Sequence, residues 1–208
     1  MEEKLILIAT SNAGKVREME RAFEGLPVRL VPLSRIREIL PDAGEIEEPV
    51  EDGATFLENA RIKARYYMEQ TGLAALADDS GLSVEVLGGA PGVYSARYAG
   101  VHGDDAANNA KLIADIRARG TENAAAAYHC ALVLALTAGE ELAAEGVCTG
   151  FIRPEARGTE GFGYDPYFYC ADGRTMAELT CEEKHAISHR GAALNNMKEQ
   201  LRTLFQVK

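Results

Sequence analysis

With 208 residues, 47% of them hydrophobic, the chain can bury one substantial core, which excludes a disordered protein and argues for one domain or two lobes sharing a sheet. Lys and Arg total 22 against 32 Asp and Glu, a formal charge of -10, so the average field repels nucleic acid and anionic membranes, and a nucleotide needs a local basic pocket. No apolar run approaches the ~18 residues of a membrane-spanning helix, the first four residues lack a basic leader, and the four scattered cysteines (Cys130, Cys148, Cys170, Cys181) show neither C-x-x-C nor zinc-finger spacing. The expectation is a cytoplasmic protein with reduced thiols.

Leu5 to Ala9 is a continuous apolar run that predicts a buried strand, ending in the tight turn Thr10-Ser11-Asn12-Ala13-Gly14. A helix over about 15–23 follows, closed by Gly25 and Pro27, and 28–31 can form a second strand. Pro41, Gly44 and Pro49 punctuate the acidic stretch 45–52, which reads as loop or strand edge. Thr55-Phe56-Leu57-Glu58 is a capping-box pattern opening a helix to about Gln70, stopped at Gly72, with Phe56, Asn59, Lys63 and Tyr67 on one face. A second apolar run, 73–77, delivers Asp78-Asp79-Ser80-Gly81 to a strand-to-turn junction, after which Leu82, Val84 and Val86 alternate as a strand should. Residues 88–92 form a flexible loop, and Asp104-Asp105 open a polar helix ending near Gly120. Segments 127–137 and 142–151 read as a long hairpin around an Ala138-Gly139 turn. Residues 158–169 are rich in glycine and aromatics, with turn character. Thr180-Cys181-Glu182-Glu183 is a second capping box, and 192–204 is a terminal helix with Leu194, Met197, Leu201 and Leu204 on one stripe. Alternating strands and helices followed by a hairpin predict a mixed α/β sheet. No repeat or linker divides residues 1–208 into independent domains.

Several segments carry chemistry. Thr10 to Lys15 place hydroxyls, a glycine and a lysine where a strand hands over to a helix; unpaired amides and the positive helix end suit phosphate, yet Asn12 as a plain helix cap with a solvated Lys15 fits equally. Ala9 and Val16 stand where a Walker loop needs glycine and Ser or Thr. Asp78 and Asp79 are adjacent, so on extended backbone their side chains diverge and one can bind a hard cation while the other anchors the loop. Glu48 or Glu51 can supply a further carboxylate; the alternative is that Asp-Asp-Ser-Gly is simply a good turn. Lys63 shares a helix face with Asn59 and either reaches a pocket or stays in solvent. Phe162-Gly163-Tyr164-Asp165-Pro166 joins an aromatic plate to a carboxylate, a pairing that can stack a base and read its edge or simply pack on the core. Lys184, Ser188, His189 and Arg190 concentrate donors within seven residues, which as an isolated cluster fits a solvated helix start equally well. Donors suit a keto oxygen at purine position 6, whereas an adenine amino group would meet donor against donor.

Together six segments resemble the inosine triphosphate pyrophosphatase family, the dITP/XTP diphosphatases: 9–15, 51–60 with Lys63-Ala64, 77–82, 88–100, 161–168 and 183–190. They occur in family order across nearly the whole chain. The resemblance implies an α/β fold of two lobes, with a long central mixed β-sheet flanked by helices, a nucleotide cleft between the lobes, and a homodimer. It implies that Thr10, Ser11, Asn12, Ala13, Gly14 and Lys15 hold the triphosphate, that Glu51 and Asp79 bind Mg²⁺, and that Asp79 is also the proton acceptor. Asp78, Lys63 and Lys15 complete the implied catalytic set. Ser80, Phe162, Gly163, Tyr164, Asp165, Lys184, His189 and Arg190 match substrate-contacting positions, with Phe162 as the stacking ring. Ser11 and Asp52 depart from the frequent glycine and threonine. The implied reaction is attack of water on the α-phosphorus of ITP, dITP or XTP, releasing pyrophosphate and a nucleoside monophosphate. Two rivals are a related pyrophosphatase acting on pyrimidine or modified nucleotides and a nucleotide sensor without turnover.

Overall fold

The opening βαβ unit consists of β1 (Lys4–Ile8), α1 (Ala13–Ala22) and β2 (Val28–Pro32) in the computed structural model, which describes residues 3–42, 44, 46–137 and 139–206. Glu45 of the acidic stretch and Ala138 of the predicted turn lie outside the described residues. β1 pairs parallel with β2, Ile6 opposite Leu30, and parallel with β3 (Ala74–Val84), Ile6 opposite Ala74 and Ile8 opposite Leu76. With β4 (Ala124–Thr137), β5 (Glu140–Ile152) and β6 (Phe168–Tyr169) they make a six-stranded sheet in the order β2-β1-β3-β4-β5-β6, β6 running antiparallel to β5. The remaining helices are α2 (Phe56–Thr71), α3 (Asp105–Ala118), α4 (Cys181–Ile187) and α5 (His189–Phe205). The mixed α/β class expected from the chain is the class observed. No helix among the described residues is long and apolar enough to cross a membrane.

Local chemistry explains the helix ends. Thr55 and Glu58 form the reciprocal capping box at the start of α2, and Gly72 closes that helix at φ 68°, its N–H donating to the Met68 carbonyl. Thr180 and Glu183 cap α4 in the same way. α5 begins at His189, three residues ahead of the expected start, so the donors His189 and Arg190 belong to its first turn. Of its apolar stripe, Leu194, Met197 and Leu201 are fully buried, each such burial contributing about 1.5–3 kcal/mol, while Leu204 is half exposed.

β3 corrects one expectation. The Asp78-Asp79-Ser80-Gly81 segment is not a turn between two strands but the middle of one continuous 11-residue strand. β3 pairs with β1 over Ala74–Leu76 and lies next to β4 on its other side, so the sheet holds it extended. The two carboxylates find lysines instead of their own amides, which removes the reason for an Asp turn. Val86, expected to continue the alternation, falls in a short 3-10 turn over Glu85–Leu87.

The chain divides into two compact units. The first comprises Met1–Asp79, Ala131–Glu145 and Gly191–Lys208. Its core sets Leu7, Ala9, Ala75, Ala77, Ala131 and Val133 of the strands with Ala60, Ala64 and Tyr67 of α2; the small alanines let α2 lie close to the sheet. The second comprises Ser80–Cys130 and Gly146–Arg190, with Leu82, Val84, Leu112, Ile116, Tyr128, Tyr164 and Phe168 in its core.

Candidate active site

The register of β1 with β3 ends at Ile8 and Leu76, so the turn leaving the carboxyl end of β1, where open α/β sheets bind ligands, emerges beside the middle of β3, which continues through Asp78 and Asp79. In the first segment the Asn12 side chain accepts from the Gly14 and Lys15 amides at 2.8 and 3.1 Å, and Thr10 Oγ1 accepts from the Asn12 amide at 3.2 Å. Asn12 therefore caps α1 and shapes the turn, while Ser11, Asn12 and Ala13 stay exposed. Lys15 is not solvated: its ammonium pairs with Asp78 Oδ1, whose residue is 1% exposed.

The neighbouring aspartate points elsewhere, as alternation along a strand requires. Asp79 Oδ1 lies 3.3 Å from Lys63 Nζ, and the same ammonium lies 3.1 Å from Glu51 Oε2. Glu51 is brought there by the start of α2: Asn59, 1% exposed, accepts from the Gly53 amide at 2.8 Å, and Glu58 accepts from the Ala54 amide at 2.7 Å. A Cβ on Gly53 would sit 2.7 Å from Asn59 Oδ1, so only glycine lets the loop close down on the helix. Lys63, one turn beyond Asn59, then meets both carboxylates.

Burial raises the Asp79 pKa above the ordinary value, an effect only partly offset by Lys63 and Lys15. Burial also pulls the Lys63 ammonium down, but Asp79, Glu51 and Asp78 together outweigh it and hold the lysine charged. Asp79 Oδ2 is buried and accepts no hydrogen bond. Among the described residues no group of three or more His, Cys, Asp or Glu side chains is assembled for a metal. The Glu51–Asp79 pair, with an uncommitted carboxylate oxygen, is nonetheless the hard-oxygen donor set that suits a divalent cation keeping water and phosphate as its other ligands.

The second unit gathers the other predicted residues around Phe162 and Asp165. Asp165 Oδ2 accepts from Lys184 Nζ at 2.5 Å and from the Phe162 amide at 3.0 Å, and Asp165 Oδ1 accepts from the Tyr128 hydroxyl at 3.1 Å. Gly161 makes room for this carboxylate, since a Cβ there would lie 2.1 Å from Asp165 Oδ2. Burial, then the Asp165 charge, pushes the Tyr128 phenol well up, so it stays a protonated donor. Its ring stacks on His189 at 4.7 Å and 14°. The Phe162 ring is 38% exposed, with Lys184 Nζ and the Arg190 guanidinium 5.1 and 5.7 Å from its centroid. Arg190, itself 2% exposed, donates to Ser80 Oγ at 2.9 Å. Lys184 and Arg190 are buried donors set beside an accessible aromatic face, an arrangement able to stack a base and donate to its keto oxygens, and His189 is buried against Tyr128.

A model of the Ham1 family matches residues 6–200, which contain every residue of both constellations. The chain is 48% identical over 201 residues to the dITP/XTP pyrophosphatase of Syntrophobacter fumaroxidans, covering 96% of this chain and 83% of that protein. It is 47% identical over 197 residues to the dITP/XTP pyrophosphatase of Geobacter sulfurreducens, covering 94% and 96%. Among solved structures, a HAM1 protein from Coxiella burnetii superposes with a TM-score of 0.84 at 41% identity, covering 96% of this chain and 99% of that one. The chain belongs to the Ham1 family.

Not every predicted residue of this Ham1 chain points at substrate-facing surface. Tyr164 is buried in the core of the second unit, its hydroxyl donating to the Ser95 carbonyl at 2.7 Å. Gly163 contributes its backbone to a clasp with α3. Glu48 is exposed, and Glu51 is the carboxylate that joins Lys63. Sequence reasoning misses Tyr128, Asp105 and Asn109: Tyr128 hides in the alternation of β4, and Asp105 reads as an ordinary helix start. The only sequence signal for Tyr128 is a polar-tipped ring at a buried strand position, where a phenol needs a partner.

Proposed function

We propose that this Ham1-family chain is a nucleoside-triphosphate pyrophosphohydrolase that cleaves the α–β phosphoanhydride of ITP, dITP and XTP, giving a nucleoside monophosphate and pyrophosphate and keeping deaminated purines out of DNA and RNA. The observation that carries the reading is the Asp79 carboxylate, buried on β3 with one oxygen on Lys63 and the other uncommitted. The first unit handles the polyphosphate, with Thr10 to Lys15 along it and the Lys15 and Lys63 ammonium groups offsetting the charge that develops on the leaving pyrophosphate. Asp78 holds Lys15 in place. Asp79 Oδ2, the oxygen that Lys63 leaves free, orients the attacking water and accepts its proton.

Glu51 and Asp79 would hold a divalent cation, Mg²⁺ in our reading, which when bound neutralises phosphate charge. The second unit reads the base: Phe162 stacks on it, and Lys184, His189 and Arg190 donate to keto oxygens, with Ser80 and Asp165 holding those donors and Gly163 and Tyr164 supporting the Phe162 loop from α3 and the core. The six-amino group of adenine would face these donors and leave them unpaired. We further read the protein as a homodimer of single two-lobed domains acting on the cytoplasmic nucleotide pool; in support of the single domain, β3, β4 and β5 each run without a break through both units. Light scattering and a single cooperative unfolding transition are the checks.

The deciding assay incubates the protein and Mg²⁺ with ITP, dITP, XTP, ATP, GTP, CTP or UTP, measuring pyrophosphate and orthophosphate separately. Pyrophosphate from the first three, with ATP and the pyrimidines much poorer, is the expected result. A pyrimidine preference, orthophosphate as the product, or binding without turnover would overturn it.

A further inference from the structure

The stacking loop is anchored from outside the segments that name the family. Gly163, next to Phe162 and at φ 64°, is gripped on both sides of its backbone by the first turns of α3: its N–H donates to Asp105 Oδ2 at 2.7 Å, and its carbonyl accepts from Asn109 Nδ2 at 2.9 Å. Asn109 is 8% exposed, and its amide also donates to the Asp105 carbonyl at 2.9 Å, which fixes the way the side chain faces. Two hydrogen bonds of opposite polarity to one residue leave its peptide planes little freedom to rotate. Phe162 carries the ring that remains exposed, and the peptide plane it shares with Gly163 fixes the backbone from which that ring projects.

From this geometry we infer that Asp105 and Asn109 are positioning residues for purine binding, locking the Phe162 ring in the orientation that stacks on the base. The inference rests on the reading of Phe162 as the stacking ring. The phosphate-handling residues of the proposed function belong to the other unit. Loss of the clasp therefore weakens capture of the base without altering phosphate chemistry. The α3 helix itself keeps its cap, because Asp104, not Asp105, accepts from the Ala107 amide at 3.0 Å.

The test compares Asp105→Ala, Asp105→Asn and Asn109→Ala with the parent protein in steady-state ITP hydrolysis, alongside inhibition by inorganic tripolyphosphate, which has no base. Asp105→Ala is expected to raise KM for ITP roughly tenfold, the scale of a lost charge-assisted hydrogen bond, with kcat within about twofold. The tripolyphosphate inhibition constant should stay where it is. Asp105→Asn, whose side-chain oxygen still accepts from the Gly163 amide, should restore most of the affinity. In a Phe162→Ala background the Asp105→Ala effect should vanish, since the two act through one ring. An unchanged KM, or KM and the tripolyphosphate constant rising together, would overturn the clasp. Should Asp105→Ala fail to fold, Asn109→Ala carries the same comparison. A parent protein that hydrolyses no purine triphosphate would instead sink the proposed function.

Discussion

The two constellations solve opposite electrostatic problems. In the first unit three carboxylates, Glu51, Asp78 and Asp79, share two lysines, and one buried oxygen of Asp79 is left without a donor. In the second, the single carboxylate Asp165 receives a lysine, a phenol and a backbone amide. One is charge-rich and incomplete; the other is saturated and ready. Under the proposed function the difference follows from what each has to bind, because a site for metal and phosphate must leave valences for its ligands, whereas a site that discriminates between bases needs donors already fixed in place.

The contrast breaks most severely at Asp165. Asp165→Ala leaves Lys184 buried with its partner gone, a cost of about 3–5 kcal/mol and a fall in Tm of roughly 10 °C for a chain of this length, measured by calorimetry. Asp79→Asn should do the reverse to stability while removing turnover. The raised Asp79 pKa means that the fold favours the protonated form, so stability from this group is full below its ordinary value of 3.8 and is lost as pH rises through the raised value. At neutral pH the ionised carboxylate thus costs stability in the absence of metal. The asparagine variant should melt higher than the parent in EDTA, while kcat falls about 100- to 1,000-fold. A lower Tm together with lost activity would mean that Asp79 supports the fold rather than straining it.

Gly53→Ala tests how Glu51 is aimed. The added Cβ would meet Asn59 Oδ1 at 2.7 Å and Glu58 Cβ at 2.8 Å, pushing the loop off α2. The Mg²⁺ concentration for half-maximal rate should rise about tenfold, the scale on which groups orienting a metal ligand act, and KM at saturating Mg²⁺ should move much less. The smallest effect is at Glu183, exposed on the cap of α4. The Thr180 amide and Arg174 hold its carboxyl down, from 4.5 to about 2, so its contribution to stability is present above 4.5 and is lost as pH falls through about 2. Glu183→Gln keeps the capping geometry, and its Tm difference from the parent should shrink to nothing across that acid window.

Local patterns in the chain are enough to place most elements. The Thr55 and Thr180 boxes, the Gly72 stop and the apolar run of β1 each depend on contacts within a few residues, and each appears where those contacts require it. Short segments show the carboxylates and lysines of the first constellation, Lys15, Asp78 and Asp79 among them, but only the family resemblance singles out Glu51 over Glu48 and Lys63 over a solvated lysine. What those segments could not decide is pairing. Whether Asp78-Asp79 turns or extends depends on the sheet that β3 joins, and whether Lys15 is solvated depends on Asp78, 63 residues away. Tyr128 behind Asp165 and the α3 grip on Gly163 join residues 37 and 58 positions apart. A hydrogen bond acts over about 3 Å, so only the folded chain determines which distant donors come within its reach.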